Sequence, residues 1–278
     1  MGDPRPPHGN LIAHIAQITS AGGRAANQDA LNHALQDNLA CFVVSDGVGG
    51  AEGGEVAARI VVEAIVDSFL DESSFGARAL QSYVDAAITT VRRRKTENER
   101  LRHMSATAAT VLIDLQNHCA LWAHMGDTRI YLFRHGRILQ ATKDHSVVQQ
   151  FVAAGYCTPD QLRVHPKRST LLAAVGAEGD GLPEVTQAST TVEAGDAFLI
   201  CTDGFWEWIT ELEMEAAASG AESAEAWLQS MKATVERKGL ASVAPPDNFS
   251  AYTVCLTLPA AKADLANVVD QDWSQQNI

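Results

Sequence analysis

Val43-Val44-Ser45-Asp46-Gly47-Val48-Gly49-Gly50 sets one carboxylate at the mouth of an apolar strand and follows it with nearly bare backbone. Phe42, Val43 and Val44 make a continuous apolar run that reads as a buried strand end. A carboxylate leaving such a strand, beside glycines that let a peptide carbonyl approach closely, suits a hard cation held by side chain and backbone together. The nearest rival is a phosphate-cradling loop, and spacing removes it. No Gly-Lys-Ser/Thr ending follows, and a dinucleotide pattern starting at Gly47 needs glycine at position 52, where Glu52 stands. Taken alone, Asp-Gly-x-Gly-Gly is also an ordinary turn, so the rest of the chain has to decide.

Composition narrows the classes. The 278 residues are 46% hydrophobic, enough for a substantial core. Lys and Arg total 21 against 34 Asp and Glu, a formal charge of −13 that repels nucleic acid and anionic membranes in the absence of a segregated basic face, and none is legible. Cys41, Cys119, Cys157, Cys201 and Cys255 are odd in number, widely spaced and mostly set in apolar runs. They read as reduced thiols, with neither a disulfide framework nor a zinc spacing. The polar, proline-rich start lacks a signal segment, and no uncharged apolar run is long enough to span a bilayer, so a cytoplasmic protein is expected. Pro6 stands where a myristoylation signal after Gly2 needs Ser or Thr.

Residues 11–19 alternate as a strand, and Ala21-Gly22-Gly23 turns into Arg24-Ala25-Ala26-Asn27-Gln28-Asp29. Arg24 offers a planar fork suited to two phosphate oxygens, or is simply a surface cation beside a turn. Val56, Ile60, Ala64 and Ile65, then Leu80, Val84, Ala87, Ile88 and Val91, recur at helical spacing, which predicts two amphipathic helices between Gly53 and His103. Arg92-Arg93-Arg94-Lys95 reads as a solvated helix end. Four short strands follow at 109–115, 119–124, 129–133 and 137–141, read as one antiparallel meander. A helix pattern at Val147, Val148, Phe151 and Val152 and a helix start at Thr158-Pro159-Asp160 come next, in a region of the kind that serves as a lid. Strands resume at 170–174, 186–192 and 197–201, a helix occupies 222–238, and a strand at 250–258 closes the pattern.

Asp46, Asp127, Asp203 and Asp247 all sit at strand ends or in turns leading into strands, beside glycine or asparagine. Gathered at one rim, such acids would repel one another unless cations lay between them, and oxygen ligands favour magnesium or manganese. Two such ions about 3.5–4 Å apart can generate hydroxide and stabilise in-line displacement at phosphorus. Strand-end positions alone do not establish that the acids converge.

The ordered set Arg24-x-x-Asn27-x-Asp29, Asp46-Gly47-x-Gly49-Gly50, Gly126-Asp127-Thr128-Arg129, Thr142-x-Asp144-His145-Ser146, Thr202-Asp203-Gly204 and Asp247-Asn248 resembles the metal-dependent Ser/Thr protein phosphatases of the type-2C (PPM) family, in their compact bacterial form. The resemblance implies an α+β fold, a four-layer α-β-β-α sandwich with two central antiparallel sheets. It would occupy 11–258 as one domain with a flap at 149–168, between a flexible N-terminus at 1–10 and a tail at 259–278. It further implies that Asp46 bridges two Mn2+ or Mg2+ ions, that the Gly47 carbonyl binds the first, and that Asp203 and Asp247 bind the second. Arg24 would hold the phosphoryl group, Asp29 would act at or just outside the metal shell, and Asn248 would support its neighbour Asp247. Asp127 would bind a third, weaker ion shared with Asp203.

The implied activity is hydrolysis of phosphoserine and phosphothreonine by a hydroxide bridging the ions. The implied partners are phosphorylated Ser/Thr proteins and a cognate bacterial Ser/Thr kinase, with a monomeric state and no nucleic acid or membrane. Two departures from the family pattern stand out. Val48 replaces a histidine proposed to protonate the leaving alcohol, and Gln28 replaces a glutamate that orients water. They motivate a rival expectation, a pseudo-phosphatase scaffold or phosphoprotein sensor without turnover.

Overall fold

The computed structural model describes residues 9–48, 53–179, 181–242 and 245–259. Gly49 and Gly50, most of the expected N-terminal segment and nearly all of the expected tail lie outside the described residues. Ile12–Ser20 forms β1 and Asp29–Gln36 forms β2, and the apolar run at Phe42 lies in β3 (Leu39–Asp46). Two helices, α1 (Gly54–Asp71) and α2 (Ala77–Glu97), precede β4 (Ala108–Asp114) and β5 (Cys119–Met125). Next come β6 (Arg129–Arg134), β7 (Arg137–Ala141), α3 (Val147–Ala153) and α4 (Pro159–Leu162). The chain continues through β8 (Glu184–Val185), β9 (Thr190–Thr191), β10 (Ala197–Cys201), α5 (Asp203–Trp206), α6 (Glu211–Ser219), α7 (Ala224–Leu240) and β11 (Phe249–Thr257).

The strands form two antiparallel sheets. One runs β1-β11-β10-β6-β7; the other runs β2-β3-β4-β5-β8, with β9 also paired to β5. Side chains alternate across β3: Phe42 and Val44 join Val111, Ile130, Phe198, Ile200 and Tyr252 between the sheets, while Val43 faces Ala57, Val61 and Ile65 of α1. A strand buried on both faces has no polar side, which is why this stretch is continuously apolar. On the outer face of the other sheet, Tyr131, Phe133 and Leu199 pack with Trp227, Leu228 and Met231 of α7. Two sheets face to face with a helical layer outside each give the expected α-β-β-α order.

Three expectations need correction. The strands from 109 to 141 are not one meander: β4 and β5 belong to one sheet, β6 and β7 to the other. Gly126, at φ +112°, begins the turn that carries the chain across. The segment 170–174 is not a strand; it makes only isolated bridges, Ser146 with Leu171 nearby and Ala106 with Val175 just beyond. The run 186–192 holds only the two-residue β9, with the two-residue β8 ending just before it, both paired to β5 at the sheet edge. Among the described residues no helix is long and apolar enough to cross a membrane, and all five cysteines are free thiols.

Candidate metal centre

Asp29 and Asp46 begin β2 and end β3, and the antiparallel register sets them directly opposite. Asp203 starts α5 immediately after β10, Asp247 lies just before β11, and Asp127 sits in the crossover turn. The two sheets thus deliver carboxylates from five separate segments to one end. A cleft of about 270 Å3 there is lined by Asp46, Gly47, Asp127, Asp203, Asp247 and Asn248, with Arg24, Gln28 and Val48 on the same wall. Asp29 is not on that wall; it stands behind Asp46, its Oδ2 accepting a 3.0 Å hydrogen bond from Thr202 Oγ1.

Local chemistry fixes each acid. The Asp46 amide donates to Thr107 Oγ1 at 2.9 Å, and the Thr107 amide donates back to the Asp46 carbonyl at 2.8 Å. A Cβ at Gly47 would collide with the Gly54 backbone, so only glycine lets the chain turn against the start of α1. Asn248 locks the Arg24 loop: its Nδ2 donates to the carbonyls of Ala21 and Ala26, both at 2.9 Å, and its Oδ1 accepts from the Gln28 amide at 2.9 Å. Arg24 Nη2 donates to Asp247 Oδ2 at 2.7 Å, with both side chains about half exposed. Asn248 is therefore the joint between the two segments that bring Arg24 and Asp247 together.

The cluster is electrostatically uncompensated. Burial, then Asp29, Asp203 and Asp127, raise the Asp46 carboxyl well above its ordinary range. Burial and Asp203 do the same to Asp127, and burial and Asp247 raise Asp203. Burial lifts Asp29 to about 7, and its Oδ1 is buried without a hydrogen-bond partner. Mutually repelling buried acids with an orphaned oxygen fit hard divalent cations, and no sulfur or imidazole lines the cleft to favour a softer ion.

Sequence reading missed Thr107, which orients Asp46, and the pair Arg168 and Glu207. Glu207 lies one helical turn beyond Asp203, and burial together with Asp203 lifts it to about 7. Arg168 holds it through two guanidinium nitrogens, Nε and Nη2, clipping the end of the expected flap onto the cleft end of the fold. The i, i+4 spacing of Asp203 and Glu207 was the one available signal. Asp127 does not pair with Arg129 as a simple turn acid would. Arg129 is taken instead by Asp144 through two 2.8 Å bonds.

A family model described as protein phosphatase 2C matches residues 21–244. The chain is 29% identical over 268 residues to the serine/threonine protein phosphatase PstP of Mycobacterium tuberculosis, covering 95% of this chain and 46% of that one. It thus spans about half the length of that relative. Protein phosphatase PhpP of Streptococcus pneumoniae is 28% identical over 207 residues, 72% of this chain and 82% of that one. The fold superposes on a crystal structure of the PstP catalytic domain in complex with two manganese ions, with a TM-score of 0.73 at 26% identity, covering 89% of this chain and 99% of that one.

Proposed function

The chain belongs to the protein phosphatase 2C family, and from that premise we propose that it is a metal-dependent phosphatase of phosphoserine and phosphothreonine in proteins. The observation that carries this reading is the convergence of five carboxylates at the end of the sheets, with a half-exposed arginine at the rim. Asp46, the Gly47 carbonyl, Asp203 and Asp247 would hold two manganese or magnesium ions, a reading supported by the similarity to a PstP catalytic domain in complex with two manganese ions. Bound there, such ions supply Lewis acidity toward water and the phosphoryl oxygens. Asp29 acts from behind Asp46, oriented by Thr202. Arg24, held at the cleft mouth by the Asn248 clamp, offers its guanidinium to the phosphoryl group of a bound substrate. Val48 brings only an apolar side chain to the cleft, so the proton for the departing alcohol has to come from elsewhere.

The direct test is hydrolysis of a phosphothreonine peptide and of p-nitrophenyl phosphate by the purified chain in manganese. Activity that disappears with EDTA supports the proposal; a folded, manganese-loaded protein that binds phosphopeptide without turning it over would instead be the scaffold or sensor. An opposing Ser/Thr kinase, a cytoplasmic location and a monomeric state belong to the same proposal, the location supported by the five free thiols. In Arg24→Ala, kcat/KM for the phosphopeptide should fall roughly 10–100-fold, the value of one charged hydrogen bond, chiefly through KM. Unchanged constants would remove the phosphate clamp.

Asp127 is assigned to a third, weaker ion shared with Asp203. Its carboxyl feels Asp203 directly, and its backbone carbonyl is pinned by Trp206 Nε1 at 2.9 Å, so the turn is held independently of the carboxylate. Asp127→Ala should therefore keep the fold and the two tightly held ions, lose activity by about a hundredfold and recover part of it at high manganese. Full activity at low manganese would leave Asp127 as turn structure alone.

A further inference from the structure

Three side chains outside the cleft meet beside the Gly126-Asp127 turn: His124 in β5, His145 shortly after β7 and Glu184 in β8. His124 and Glu184 are register partners across β5 and β8. One ligand atom from each of the three lies within 4.8 Å of the other two, the one such trio among the described residues. The two imidazole rings stack with centroids 4.5 Å apart, and His145 Nε2 is 3.7 Å from a Glu184 oxygen.

The surroundings prepare the nitrogens. His124 Nε2 lies 2.8 Å from the Lys143 carbonyl, which can only accept, so Nε2 carries the proton and Nδ1 keeps its lone pair. A ring nitrogen tied to a carbonyl while the other is left to ligate is the usual arrangement around metal-binding histidines. Burial and the adjacent His124 push the His145 imidazole below its ordinary value. Two imidazoles and one carboxylate suit zinc or a similar borderline ion, whereas magnesium and manganese prefer all-oxygen sets such as the cleft.

We propose that His124, His145 and Glu184 form a second cation site of the zinc class, completed by water and separate from the carboxylate cleft. Zinc–nitrogen bonds of about 2.0–2.1 Å require the three ligand atoms to draw closer together. Glu184, exposed on a two-residue strand, is the one free to move. Filling the site also reaches the cleft. His145 Nδ1 accepts a 3.4 Å bond from the Gly126 amide, and an ion on Nε2 moves the ring proton to Nδ1, where it faces that donor. The turn carrying Asp127 has to yield.

The test is calorimetric titration of the full chain with zinc in excess manganese, repeated on Glu184→Gln, His145→Asn and Asp46→Asn, with circular dichroism to verify folding. One zinc per chain is expected, weakened at least 10–100-fold in Glu184→Gln and His145→Asn and retained in Asp46→Asn. Cobalt in place of zinc should give the visible absorption of a tetrahedral site, lost in Glu184→Gln, an exposed position at which folding is not at risk. Wild-type zinc affinity in Glu184→Gln and His145→Asn, loss of the zinc in Asp46→Asn, or no zinc bound by the wild type would each overturn the site.

Discussion

Asp46→Asn should abolish turnover, by at least roughly a thousandfold, and at the same time raise the thermal midpoint of the ion-free protein at pH 8. The loss of turnover follows from the proposed role: Asp46 is the acid that feels Asp29, Asp203 and Asp127 together, and as the proposed bridging ligand it would sit between two cations. The gain in stability follows from the same contacts. A carboxyl whose folded-state pKa is raised makes the folded state retain a proton that the unfolded chain has already released. Ion-free stability is therefore highest below the unfolded value near 4 and is lost as pH rises through the folded values, which for Asp29 and Glu207 are about 7. In EDTA the wild type should melt progressively lower between about pH 5 and pH 8, and manganese should reverse the loss. With one charge of the cluster gone, Asp46→Asn should show a shallower slope and little response to manganese. A change of ~1 kcal/mol moves the midpoint of a domain this size by about 2–4 °C, which scanning calorimetry resolves. A lower ion-free midpoint at pH 8 for Asp46→Asn than for wild type would mean that the carboxylate is structural and not a site of stored repulsion.

What could be read from the sequence depended on whether a segment's environment was written into its own pattern. The β3 strand was legible because burial on both faces leaves no alternation, and α1 and α2 were legible because one stripe of each packs on a sheet. By contrast β2 was missed: Asp29-Ala30-Leu31-Asn32-His33-Ala34-Leu35-Gln36 lacks β-branched and large aromatic residues, and its strand character comes from pairing with β3 and not from propensity. The false meander has the same origin. Each of its four strands was recognisable, but nothing in Met125-Gly126-Asp127-Thr128 says that the chain changes sheets there.

The site followed a similar rule. The carboxylates were visible as residues leaving apolar strands next to glycine, whereas their convergence depends on β1, β2 and β11 meeting across more than 200 residues of chain. The resemblance to a family, not the spacing, supplied the expected roles. Thr107 and Arg168 were invisible because each acts through a partner distant in sequence, and the His124, His145 and Glu184 trio was hidden because cross-strand register makes it, with no His or Cys spacing to announce it.

Breaking the pair behind Asp127 should produce the largest loss of stability. Asp144 takes the Arg129 fork through two parallel 2.8 Å bonds, with the arginine side chain 11% and the aspartate side chain 2% exposed. The guanidinium also lies 3.5 Å from the centroid of the Trp206 ring, and Trp206 in turn holds the Asp127 carbonyl. Replacing Asp144 with alanine leaves that cation in a dry site, a change that costs roughly 3–5 kcal/mol when one member of a buried pair is removed. Tyr131 at 3.1 Å donates no charge, and Glu211, 3.6 Å away, is already bonded to Arg163 at 2.6 Å, so the remaining partners compensate little. The midpoint of Asp144→Ala should fall by about 6–20 °C. Asp144→Asn, which keeps the shape and one acceptor, should fall by less. Because the same stack positions the Asp127 turn, Asp144→Asn should also need more manganese for half-maximal activity, an effect that lost stability alone would not give well below the melting temperature. A midpoint within about 2 °C of wild type for Asp144→Ala, with the manganese requirement unchanged in Asp144→Asn, would show that Arg129 finds enough compensation elsewhere and that the pair supports neither the fold nor the turn.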